Sequence, residues 1–199
     1  MSADPTTVPR TPHLGAADEP ELVRAPHTTF VSIRGRGRPG TEAFYRKKEL
    51  VRAIVGALPP ARQVAEAADV VELLYWYPGD AVPVGIADFY WVNPLDMLEY
   101  RVLAQIDPST TGQEFGAALR ATHGDGEQVE LFDLPDRLVV QVMHHGRFAD
   151  EIDTLARLGA SAAGHGLRRV GAHHEIHLDP FTASTPQEQL RTILRDPVG

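Results

Sequence analysis

The order in which two hydrophobic periods alternate along this chain restricts its fold more than any single motif. An alternating β-branched run at 27–34 (HTTFVSIR) is punctuated by Gly35, Gly37, Pro39 and Gly40 and gives way to a helical stretch at 41–58. Phe44, Lys48, Val51, Ile54, Val55 and Leu58 share one stripe of that helix, with Thr41 as its cap and Pro59-Pro60 as its stop. Strand candidates follow at 70–77 and 97–107, and 81–92 reads as a hydrophobic loop or short strand. A second helix is expected over 110–122. Beyond it come strands at 127–132 and 137–145, a helix at 149–163, a strand at 170–178 and a short terminal helix at 186–195. The recurring order predicts an α+β fold of two β-α-β-β halves, about 25–107 and 108–199, related by a pseudo-twofold axis. No residue-level repeat accompanies it. A sheet with helices on one face leaves the other face free to form a concave ligand cleft.

At 199 residues and 43% hydrophobic content, the chain suits one compact domain. Twenty-seven acidic against 19 basic residues give a net charge of −8, which argues against a nucleic-acid groove. Cysteine is absent, so disulfides, thiolate nucleophiles and Cys-based zinc sites are excluded, and the cytoplasm is the expected location. Residues 1–24 mix Pro, Thr and acidic side chains and read as a flexible arm outside the fold, with 25–199 as the domain. No secretory leader is legible, and no window reaches the roughly 20 apolar residues of a membrane span.

The segment His173-His174-Glu175-Ile176-His177 is the densest polar cluster in a β-like run. Period two places His173, Glu175 and His177 on one face and Val170, Ala172, His174 and Ile176 on the other. The more apolar set is expected to meet the helices, which turns Glu175 into the open side. There it either pairs with a cationic ligand, acts as a general base, or is a solvated or Arg168/Arg169-paired strand residue. Alternate residues on one strand face lie about 7 Å apart, and the helical HExxH spacing is absent. No metal is therefore expected. Tyr75, Trp76, Tyr77, Phe89, Tyr90, Trp91 and Tyr100 crowd into 26 residues and form either core or the wall of a flat pocket. Strand alternation would send Tyr75 and Tyr77 opposite to Trp76, and Phe89 and Trp91 opposite to Tyr90. Rings around a carboxylate suit planar lipophilic cations. The 35–40 segment (GRGRPG) lacks both nucleotide-binding spacings and no GxSxG elbow occurs, so no cofactor is expected.

Gly35-x-Gly37-x-Pro39, Trp91, Met143-His144-x-Gly146-x-Phe148, the HHEIHLDP run and the closing LRTILRDP together resemble the GyrI-like small-molecule-binding family, in its stand-alone branch, over about residues 22–199. The resemblance implies an SHS2-type duplicated fold with an antiparallel sheet, a pocket glutamate at Glu175 and a C-terminal helix over the LRTILRDP run. It implies aromatic walls in the Tyr90–Trp91 neighbourhood, and the expected ligand contacts are Glu175, Tyr90, Trp91, Tyr75, Tyr77, Phe89, Met143, His145, Phe148, His173 and His177. Phe148, Arg147 and His177 stand where the family often has Tyr, Pro and Tyr. The implied partners are hydrophobic, often cationic polyaromatic compounds, which the protein binds or sequesters. Two other roles are implied by relatives: hydrolysis of cyclopropane-bearing DNA alkylators with Glu175 as the catalytic proton-handling group, and gyrase-inhibitor-like protein contact.

Overall fold

The computed structural model describes residues 8–199. Eight strands form one antiparallel sheet: β1 (Glu21–Ala25), β2 (Thr28–Arg36), β3 (Val71–Trp76), β4 (Glu99–Ile106), β5 (Val129–Leu134), β6 (Arg137–His145), β7 (His173–His177) and β8 (Arg191–Pro197). Three helices accompany it: α1 (Glu42–Ala57), α2 (Gly112–Ala121) and α3 (Glu151–Gly164). The sheet order is β1-β6-β8-β7-β3-β4-β2-β5. Exchanging β1–β4 with β5–β8 in turn produces the same order read backwards. The centre of this palindrome lies between β3 and β7, where Leu73 pairs with Glu175 and Tyr75 with His173. The leading strand of each half pairs with the other half, β1 on β6 and β5 on β2.

Local chemistry explains the helices. Thr41 caps α1 by accepting from the Phe44 N–H, and Thr111 with Glu114 closes a capping box on α2. Phe44, Val51 and Ile54 of α1 pack against Val31, Ile33, Leu73 and Val102 of the sheet. Leu155, Leu158 and Ala162 of α3 pack against Val140, Val142 and Leu194. Burying each such aliphatic or aromatic side chain stabilises the fold by about 1.5–3 kcal/mol. Leu194 pairs with Glu175, and Glu175 with Leu73, so α1 and α3 cover the same face of the sheet. Gly35 is required by a close approach: the Tyr100 ring crosses it so tightly that a Cβ would lie 2.1 Å from that ring.

Three expectations need correction. The C-terminal segment is strand β8, not a helix. It lies between β6 and β7 and is buried on both faces from Thr192 to Asp196, so the alternation that marks a strand disappears. Residues 81–92 take the loop alternative, as turns without a strand, so the expected strand alternation of the rings fails: Phe89 and Tyr90 stack edge to face at 4.8 Å instead of pointing apart. Residues 1–24 were expected to stand outside the fold; residues 1–7 lie outside the described residues, but β1 adds to the sheet edge and the segment before it crosses the face opposite the helices. There His13 meets Glu72 at 2.7 Å and Thr28 at 3.1 Å, while Arg195 donates to the His13 carbonyl at 2.8 Å. Among the described residues, no helix is long and apolar enough to cross a membrane.

Candidate functional site

A cavity of about 540 Å³ opens between α1 and α3, above the central strands β3 and β7. Sheet residues Leu73, Tyr75, Glu175 and His177 form its floor. Phe44 and Tyr45 of α1 line one side, and Phe148, Glu151 and Ile152 at the start of α3 the other. Tyr90 and Trp91 arrive from the 81–92 turns, and Phe181 from the loop after β7. Gly40, with φ of +84°, bends the chain into α1 at the rim. The volume suits a drug-sized molecule.

The cavity is therefore on the helix-bearing side, whereas β7's pattern pointed Glu175 to the opposite one. The physical reason is that β7 is buried and polar on both faces. His174, on the far face, bonds Glu72 at 2.7 Å and Arg137 at 2.9 Å, and burial drives its pKa down to about 3. Apolarity could not report which side carries the helices.

Glu175 is 5% exposed. The Tyr90 hydroxyl donates to its Oε1, and His177 Nε2–H donates to Oε2 at 3.0 Å. His173 Nε2 stands 3.6 Å from Oε1, and His173 Nδ1 bonds Asp196 at 3.0 Å. Burial alone would raise the Glu175 pKa, but the two histidines outweigh it and hold the carboxyl well below the usual range. His173 is lowered by burial yet raised overall to about 9, chiefly by Asp196 and then by Glu175. Glu175 is thus ionised and His173 is its buried countercharge. Burial, followed by the Glu175 charge, lifts Tyr90 and Tyr75 well above the ordinary phenol value, so both hydroxyls keep their protons.

A second acid faces the same space. Glu151 is 4% exposed, and its Oε1 is buried without a hydrogen-bond partner. Burial, reinforced by the Glu175 charge, pushes its pKa far above the carboxylate range, so it is a neutral acid. At the far end, Phe148, His177 and Phe181 meet pairwise at 4.9–5.1 Å. Lys48 Nζ lies 3.0 Å from the Phe181 ring centroid and donates to the Phe181 carbonyl at 3.2 Å. Burial and then Arg52 bring its pKa down to about 7.

Of the residues singled out from sequence, the cavity brings together Glu175, Tyr75, Tyr90, Trp91, Phe148 and His177. Trp91 is half exposed at the rim. His173 and Phe89 are fully buried behind that wall, 4.9 Å apart, and Tyr77 packs on Phe89 at 5.5 Å. Two expectations are overturned by position. Met143 packs on the opposite face, near Leu14 and Ala16, and His145 points outward to Asp18 at 2.8 Å. Strand alternation explains both, because on β6 it is Val140, Val142 and His144 that face α3. Tyr45, Phe181 and Glu151 were missed. Phe181 is a lone ring after Pro180, and Glu151 looks like ordinary acidic charge in a helix's first turn. Among the described residues, no group of three or more His, Asp or Glu side chains is placed to hold a metal ion.

The model of the GyrI-like small molecule binding domain matches residues 18–198. No curated protein matches. Solved structures that resemble the fold include an uncharacterized conserved protein from Listeria innocua, with a TM-score of 0.75 and 21% identity over 93% of this chain and 94% of that one. A hydrolase from Listeria innocua gives a TM-score of 0.74 and 20% identity over 94% of each chain. The protein SAV2435 bound to tetraphenylphosphonium gives 0.50 and 14% identity over 91% and 94%.

Proposed function

This chain belongs to the GyrI-like small-molecule-binding domain family, and from that premise we propose that its cavity binds hydrophobic aromatic cations, with Glu175 as the charged contact. One observation carries the reading: an ionised carboxylate is held dry among Tyr75, Tyr90, Trp91 and Phe148. Its countercharge, His173, stands 3.6 Å away and is shared with Asp196, so a cation stacked on the rings gains a direct charge partner together with about 0.5–2 kcal/mol for each cation–π contact. The net charge of −8 adds long-range attraction for cations. A structural relative bound to tetraphenylphosphonium supports the ligand class.

The test compares tetraphenylphosphonium with neutral pyrene by fluorescence and calorimetry in the native protein and Glu175→Gln. The reading expects the substitution to weaken the cation at least tenfold, about 1.4 kcal/mol, with a much smaller loss for pyrene. Equal losses for both contradict it.

A second reading, hydrolysis of a strained electrophile, is favoured by the direct contact of the Tyr90 hydroxyl with Glu175 and by the resemblance to a hydrolase. In that chemistry Glu175 takes a proton from water as the water oxygen bonds to a cyclopropane carbon. The C–C bond breaks, its electron pair passes into the ligand's conjugated carbonyl, and the resulting oxyanion is protonated from solvent. Ring-opened product above background by mass spectrometry, from an incubated cyclopropane-bearing alkylator, supports it; background-level product removes it.

A further inference from the structure

The structure points to a second cation subsite in the cavity. We propose that Glu151 binds the second positive centre of an aromatic dication, whose first centre sits against Glu175, and that Glu151 gives up its proton as that ligand enters. The inference deepens the cation-binding reading and rests on it.

Four observations carry the assignment. Glu151 lines the same cavity as Glu175. It is more than nine-tenths buried. Its Oε1 has no hydrogen-bond partner among the described residues, and an unmet buried oxygen costs about 1–3 kcal/mol. A structural carboxyl would be expected to use both oxygens; this one, on a residue that lines the cavity, leaves Oε1 without a donor among the described residues. Finally, no Lys or Arg forms an ion pair with it among the described residues.

The surroundings explain why the proton stays on until a cationic ligand enters. Glu175 and His177 share the cavity lining with Glu151 from β7, Tyr75 from β3 and Tyr90 from the 81–92 turns, and Asp150 is the N-cap residue of its helix. Glu175 is the ionised neighbour, and two carboxylates in one dry site repel. A single cation on Glu175 relieves that repulsion. A second cationic centre gives Glu151 its own partner, so the proton leaves to solvent and charge stays balanced: one positive group enters as one proton departs.

Ethidium and propidium form a matched pair for the test, because they share one aromatic cation and propidium alone carries an added quaternary ammonium. Neither charge titrates between pH 6 and 8. Calorimetry in buffers of different ionisation enthalpy counts the protons released on binding to the native protein. Propidium is expected to release about one proton more than ethidium, and its affinity relative to ethidium is expected to rise up to tenfold per pH unit. In Glu151→Gln, which keeps the shape of the protonated acid, the extra proton disappears and the propidium-to-ethidium affinity ratio falls at least tenfold. Equal proton counts for the two dyes in the native protein overturn the subsite without any variant, and so does an unchanged ratio in Glu151→Gln. Ethidium binding that depends on Glu175 while propidium releases no extra proton sinks the subsite alone. Failure of both dyes to bind sinks the cation reading and the subsite with it.

Discussion

Leu73 and Glu175 are paired residues across the β3–β7 junction at the centre of the sheet, one apolar and one ionised, on the face that carries both helices. They occupy matching places on either side of the palindrome in strand order. That mismatch makes the cavity floor polar on one side only. The charged side is held by Tyr90, His177 and His173, and the apolar side merges into the α1 core.

Glu151 makes the protein less stable as pH rises. Its folded pKa lies above the unfolded value of 4.5, so the native state holds a proton that the unfolded chain has lost. Relative stability is greatest below that value and declines above it by up to about 1.4 kcal/mol per pH unit until the folded pKa is passed. Glu151→Gln therefore matches the native protein near pH 4 and exceeds it in denaturant stability at pH 7. A variant less stable at pH 7 would show that the carboxyl is ionised or structurally bonded.

His173 acts in a different window. Its pKa rises from 6.5 to about 9 beside Asp196, so its contribution is complete below pH 6.5 and is lost as pH climbs through 9. Lys48, whose pKa is lowered to about 7, adds stability as pH rises through the same window, so the test uses the Glu151→Gln, Lys48→Met background. There urea unfolding followed between pH 6 and 9.5 is expected to show a decline of a few kcal/mol, centred on pH 6.5–9. A flat profile there would mean that His173 is neutral. Glu175 contributes in the opposite direction and elsewhere, losing its part only as pH falls below 4.5.

The segment before β1 is part of the fold through His13. Replacing it, as His13→Ala, strips Glu72 of one of two partners and Thr28 of another. The expected cost is about 1–3 kcal/mol, with faster proteolysis ahead of Glu21. Unchanged stability and an unchanged cleavage pattern would show that the arm contributes nothing.

Much of this architecture was legible because α1 and strands β2, β3, β4 and β6 each carry a clear period and a clear stop. The failures share a cause: burial on both faces erases the alternation that sequence patterns report. It hid β8 inside an apparent helix and made the polarity of β7 point the wrong way, since His174 and Glu175 are both buried, each with its own partners. Composition hid β1, because this short strand at the sheet edge, paired to β6 and bridged on its outer side by residues 9–11, needs little apolar surface. The HHEIH run exposed Glu175, whereas Glu151 carried no signal beyond the acidic first turn that a helix dipole already favours.

The most direct measurement is a crystal structure of the protein soaked with tetraphenylphosphonium. Cation binding at Glu175 predicts the phosphonium between α1 and α3, its phenyl groups against Tyr75, Tyr90, Trp91 and Phe148, and the Glu175 carboxylate the nearest anionic group. Density on the opposite face of the sheet, or a cavity left empty at a saturating concentration, would contradict it.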